Sequence, residues 1–137
     1  MSYWLVKTEP EEYSFDMLIS NGKTIWDGVR NYQARNNLRL MKKGDIVFVY
    51  HSGKNKDIVG LSKVIKESYN DPKDKTGTWC VIELESLKKL NFPVTLNKIK
   101  ESKELSKLPL LKQRRLSVML VSKEEFKYIL KLGKTEL

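Results

Sequence analysis

The rhythm of hydrophobic and polar positions changes several times along this 137-residue chain, and each change predicts an element. Tyr3-Trp4-Leu5-Val6-Lys7-Thr8 is an apolar run that turns polar and meets Pro10, which predicts an opening strand. Ser14 precedes Phe15, Leu18 and Ile19, and Asn21-Gly22 follows. That pattern predicts a short helix with Ser14 as its N-cap. Between Asn31 and Met41, Ala34, Leu38 and Met41 recur at helical spacing, so one face of a second helix packs inward. Its other side presents Tyr32, Arg35, Arg39 and Lys43.

Gly44-Asp45 then turns the chain into Ile46-Val47-Phe48-Val49-Tyr50, a continuous apolar run of the kind a strand shows when both faces are covered. A polar connection, His51 to Asp57, leads to a strand over Ile58–Ile65, in which Gly60 marks a bulge or a close approach of backbone. Asn70 to Gly77 reads as a polar, mobile loop. Trp79 to Glu85 alternates as a half-exposed strand does. Residues 97 to 107 are charged and weakly patterned, a helical turn and loop over the surface. Leu116 to Val121 is the last strand, and Ser122-Lys123-Glu124-Glu125 is a capping box that starts a helix burying Phe126, Ile129 and Leu130. Gly133 is its stop. Short strands interrupted by helices, without regular βαβ alternation, predict an α+β fold built on a small mixed barrel rather than a doubly wound sheet.

The length predicts one domain over residues 1–137, large enough to bury about two-thirds of its unfolded surface without metals or disulfides. The longest apolar run is too short to cross a bilayer, and the N-terminus has neither a basic nor an apolar signal segment. One cysteine, Cys80, fits a reducing cytosol, and a cytoplasmic location is expected. The formal charge of +9 and pI near 9.6 pass the rough threshold for a nucleic-acid-binding domain.

The placement of arginine sharpens that reading. The lysines are scattered, but the five arginines fall in two clusters: Arg30, Arg35 and Arg39 beside Trp26, and Arg114-Arg115. From Gly28 to Gly44 there are five basic residues and no acidic one. Guanidinium forks next to an aromatic ring hold phosphate bidentately or stack on bases. Enzyme signatures are missing: there is no Gly-rich phosphate loop, no HExxH and no CxxC. His51 and Ser52 are neighbours on a strand and point to opposite faces, poor geometry for a base and nucleophile. Cys80 in an apolar strand is expected to be buried and inert.

Three segments therefore define a candidate pocket: Trp26 before the basic helix, Tyr50-His51-Ser52 at the end of the buried strand, and Arg114-Arg115-Leu116-Ser117 entering the last one. Holding a single nucleobase needs a flat ring, fixed polar groups for the base edge, and cations for flanking phosphates.

These same residues carry a resemblance. Tyr3 to Pro10, Tyr13-Ser14, Trp26 to Asn36, Gly44-Asp45, Tyr50-His51-Ser52 and Arg115-Leu116-Ser117-Val118 resemble, in order and over essentially the whole chain, the EVE domain family. The resemblance implies a PUA-like fold, a small mixed pseudo-β-barrel flanked by short helices, related to YTH and ASCH domains. It implies a non-catalytic module that reads a modified base, 5-methyl- or 5-hydroxymethylcytosine in DNA or a modified base in RNA, without a cofactor or metal. The expected partner is nucleic acid carrying modified bases, bound by a monomer that has no membrane association. Nucleoid association, or a nucleus in a eukaryote, fits the same reading. By motif position, Trp26 is a pocket wall and Asn31 a polar group near the base. Tyr50, His51 and Ser52 line the far side, and Ser117 lies near the mouth. Arg30, Arg35, Arg39, Arg114 and Arg115 draw the flanking backbone. The rival reading is a hydrolase acting on an acylated nucleoside, as some ASCH-like relatives do, with Lys7, Thr8, Glu9 and Ser52 as working groups. Lys7 and Glu9 share one face of the opening strand and Thr8 the other, so convergence requires a bend.

Overall fold

A computed structural model describes residues 1–137. In chain order the elements are β1 (Tyr3–Thr8), α1 (Phe15–Asn21), β2 (Lys23–Trp26), α2 (Tyr32–Leu40), β3 (Ile46–His51), β4 (Asp57–Asn70) and β5 (Cys80–Thr95). Then come α3 (Leu96–Glu101), a 3₁₀ turn (Lys103–Leu105), α4 (Pro109–Lys112), β6 (Val118–Val121) and α5 (Lys123–Leu132). The strands form one mixed six-stranded sheet in the order β2-β5-β4-β3-β1-β6. Only β1 and β3 are parallel, with Leu5 opposite Phe48. The architecture is α+β, as expected. The sheet curls but is not closed by hydrogen bonds, because the edge strands β2 and β6 do not pair with each other.

The helices start where their caps dictate. The Ser14 hydroxyl accepts from the Met17 N–H, and Gly22 takes φ 79° to end α1. In α5 the Ser122 side chain and the Glu125 carboxylate exchange hydrogen bonds with each other's backbone, completing the predicted capping box. Residues 46 to 50 are all buried, because β3 is paired on both sides and covered on both faces. Asp45 fixes its entry. This buried carboxylate accepts from the Trp4 indole N–H at 3.0 Å, the Ser2 N–H at 3.1 Å and the Lys42 N–H at 2.9 Å.

Two strands run far beyond their predicted ends. β4 has 14 residues and β5 has 16, since their outer halves are polar and exposed and carry no alternation to read. Their pairing slips at four points, including the step from Ile58 to Gly60. Such bulges bend a sheet around its core. Gly60 is both a bulge and a close approach: a Cβ there would lie 2.3 Å from Cε2 of Phe15. Helix α1 thus docks its largest apolar side chain onto bare backbone.

Candidate functional site

A cleft of about 890 Å³ opens between the β2 edge of the sheet and the segments that end β1 and lead into β6. One wall comes from the end of β2 and the turn after it, Ile25 to Arg30. The other comes from the end of β1, from Ser52 just after β3, and from Arg114, Arg115 and Ser117 just before β6. Gly28 makes the turn possible with φ 77°.

Trp26 lines this cleft and also belongs to the core, with 7% of its surface exposed. Tyr13 meets it edge-on, with ring centroids 6.2 Å apart and planes at 84°. Tyr13 lines the cleft too, and it was not anticipated. Its position just before the Ser14 N-cap was the available signal, since the residue there packs back against its own helix and neighbours. Its phenol oxygen accepts from Asn21 Nδ2 at 3.0 Å.

The structure divides the predicted site residues. Trp26, Arg30, Ser52, Arg114, Arg115 and Ser117 converge on the cleft. Asn31 does not: its side-chain oxygen is the N-cap of α2, accepting from the Ala34 N–H at 2.9 Å. His51 is likewise spent on structure, its Nε2 accepting from the Phe15 N–H at 3.0 Å and so tying the start of α1 to the end of β3. Burial holds the His51 pKa below its ordinary value, against the opposing pull of Asp57 and Asp16. Tyr50 is 3% exposed in the core, and burial together with Asp57 pushes its phenol up to about 12. Neither Tyr50 nor His51 lines the cleft.

The arginines divide as well. Arg114 and Arg115 are exposed and take part in no ion pair. Lys7 supports them from below: its Nζ donates to the Arg114 carbonyl at 3.0 Å, and burial lowers its pKa. Arg30 is clamped instead. It lies 3.0 Å from the carboxylate of Asp71, whose side chain is 1% exposed. Arg35 points away from the cleft, with Nη1 on the Thr78 carbonyl at 3.2 Å and two donors on Asn36 Oδ1. Arg39 is on the exposed side of α2 and does not reach the cleft. A helix turns by about 100° per residue, so Arg35 and Arg39 follow α2 outward while Arg30 precedes it.

The cleft is not uniformly basic, since Glu9, Glu12 and Asp27 line it. Lys73 sits 3.6 Å from Asp27. Lys7, Thr8, Glu9 and Ser52 all border this one space, because β1 ends at Thr8 and the chain then leaves strand geometry. The Thr8 hydroxyl, however, donates to the Tyr13 carbonyl at 2.7 Å rather than to a base. Cys80 is buried, and burial pushes its thiol up.

Among solved structures the fold is shared with a distant protein. It matches an ASCH protein of Zymomonas mobilis with a TM-score of 0.61 over 96% of this chain and 99% of that one, at 13% identity, a likeness of fold alone. The sequence narrows the fold to one family. The EVE domain profile matches residues 2–132, and the chain belongs to the EVE domain family. Thymocyte nuclear protein 1 of Rattus norvegicus is 36% identical over 169 aligned positions, covering 98% of this chain and 75% of that protein. The structure of protein Atu2648 from Agrobacterium tumefaciens superposes with a TM-score of 0.94 at 37% identity, over 98% and 94% of the two chains. Human THYN1, crystallised in complex with 5-methylcytosine-containing DNA, superposes with a TM-score of 0.91 at 32% identity over the full length of both chains.

Proposed function

We propose that this protein is a non-catalytic reader that takes a modified cytosine out of a nucleic-acid strand and holds it in the Trp26 cleft. The observation that carries the reading is a buried indole forming part of the wall of a cleft whose rim bears two unpaired guanidinium groups. At about 890 Å³ the cleft is within the roughly 300–1,000 Å³ typical of ligand sites. It has room for a base and part of its backbone. The likeness to the human protein crystallised with 5-methylcytosine DNA supports the same ligand class.

The chemistry is consistent with cytosine in particular. Its exocyclic amine is a donor that carboxylates accept from, and Glu9, Glu12 and Asp27 supply carboxylates inside the cleft. Ser52 and Ser117 add hydroxyls that serve as donor or acceptor. Extraction of a base costs about a few kcal/mol, and stacking returns roughly 1–3 kcal/mol. Phosphate contacts by Arg114 and Arg115 must supply part of the difference. One buried methyl adds about 0.8 kcal/mol, only about fourfold in affinity. Discrimination beyond that requires a contact specific to the modification.

The test is titration of labelled oligonucleotides, DNA and RNA, containing 5-methylcytosine, 5-hydroxymethylcytosine or plain cytosine. Wild-type protein prefers a modified strand, and Ser117→Ala or Trp26→Phe narrows the preference while circular dichroism shows the fold retained. Equal affinity for every cytosine would refute the reading. The acylated-nucleoside reading is tested alongside, because Lys7, Thr8, Glu9 and Ser52 share the cleft. Turnover of acetylated cytidine that is lost in Lys7→Ala would replace a reader with an enzyme.

A further inference from the structure

A second aromatic surface lies next to the cleft. The rings of Tyr32, at the first turn of α2, and Trp79, just before β5, have centroids 5.0 Å apart with planes at 33°. The Arg35 guanidinium is 5.0 Å from the Tyr32 ring and 6.0 Å from that of Trp79. Arg30, which borders the cleft, lies 5.6 Å from the Trp79 ring and so joins the two sites. Tyr32 is 63% exposed and lies outside the core, so the ring is open to solvent beside Trp79.

The loop before Trp79 is built to present it. It was expected to be mobile, yet two carboxylates organise it. Asp71 accepts from the Lys73 N–H at 2.9 Å and from Arg30, while its own N–H donates to the Trp79 carbonyl at 3.0 Å. Asp74 accepts from the backbone N–H groups of Thr76, Thr78 and Trp79, at 3.0, 3.1 and 2.8 Å, and from the Thr76 hydroxyl. These bonds pull the Asp74 carboxyl down to about 2. A half-buried tryptophan held by its backbone from both sides is preorganised, and the Tyr32 ring rests against it. On the helix side no acidic residue occurs between Gly28 and Gly44, and on the loop side Asp71 is paired with Arg30 while Asp74 accepts from backbone N–H groups.

We propose that Tyr32, Trp79 and Arg35 form a stacking platform for an unpaired nucleobase adjacent to the one in the cleft. It makes the preferred ligand a locally single-stranded segment rather than an intact duplex. Aromatic faces and guanidinium planes stack on any base, so the platform adds affinity without sequence or modification preference. The proposal rests on reading the cleft as a nucleic-acid site, but the two fail separately.

The experiment uses single-stranded DNA with one 5-methylcytosine, its unmodified twin, and versions with an abasic site 5′ or 3′ of the cytosine. Tyr32→Ala is expected to weaken binding about 5- to 150-fold on the intact strands, equally for modified and plain cytosine. Tyr32→Phe retains affinity. An abasic site on the correct side weakens wild type by a similar factor and has no further effect on Tyr32→Ala. If Tyr32→Ala binds like wild type, or if Tyr32→Ala and the abasic site weaken binding independently, the platform is wrong. Modified-over-plain preference surviving in Tyr32→Ala then still upholds the cleft. If Tyr32→Ala weakens binding but no variant or strand shows that preference, the platform stands and the cleft reading falls.

Discussion

Removing the two rim arginines together should change how binding responds to salt, whereas removing Arg30 should not. Each phosphate neutralised by a cation on a single strand contributes about 0.7 to the slope of log K against log salt. Arg114 and Arg115 are exposed and have no acidic partner, so both are available to phosphate. The Arg114→Ala/Arg115→Ala protein should lose about 1.4 from the slope. If the curves converge near 1 M salt, that is about 25-fold weaker binding at 0.1 M. Arg30 carries the same formal charge but is already neutralised by Asp71 at 3.0 Å. Arg30→Ala therefore leaves the slope nearly unchanged and lowers thermal stability instead, because it strands a buried carboxylate. Fluorescence anisotropy over 50 to 400 mM salt, with a melting curve for each variant, separates the two effects. If Arg30→Ala flattens the slope as much as the double variant does, ion pairing does not decide which arginines bind backbone, and the reasoning fails.

Other consequences concern the frame that holds the cleft. Gly60→Ala should destabilise by about 1–3 kcal/mol, since its methyl would overlap the buried Phe15 ring. Adding Phe15→Leu should recover part of that loss, read as positive coupling in a denaturant double-mutant cycle. Asp45→Ala should cost at least about 1–3 kcal/mol in the same assay, because it orphans the buried Trp4 indole N–H and two backbone donors. The His51 pKa is lowered in the fold, so the unfolded chain binds its proton more readily. The stability it contributes is complete above the ordinary pKa near 6.5 and is lost as pH falls through the lower folded value. The melting temperature should drop between pH 7.5 and 5.5, and His51→Gln, which keeps an acceptor for Phe15, should flatten that drop.

Local chemistry was legible in the chain, because it depends on residues close in sequence. The Ser14 and Ser122 caps, the two glycine stops of α1 and α5, the inward stripe of Ala34, Leu38 and Met41, and the doubly covered β3 are all written in short windows. So was the family pattern, which runs through Trp26 and Arg115-Leu116-Ser117. What a polar side chain touches was not legible. Asn31 and His51 look like base readers, yet each accepts a backbone N–H at a helix start, and for His51 that helix is 36 residues away. The three arginines near Trp26 read alike, but Asp71 and the Thr78 carbonyl, each more than 40 residues distant, assign two of them to different tasks.

Spacing along the chain by itself determined the centres of β1, β3, β4, β5 and β6 and of α1, α2 and α5, and that aromatic and basic groups are concentrated, because backbone preferences and burial patterns act over a few residues. No such pattern marks β2, α4 or the outer halves of β4 and β5. Tertiary structure decided that β2 and β6 do not pair, that a cleft opens between the end of β2 and the segment leading into β6, and that Tyr32 meets Trp79 beside it. Those outcomes depend on long-range pairing, bulge positions and the capture of individual charges, and no short window of sequence contains both partners.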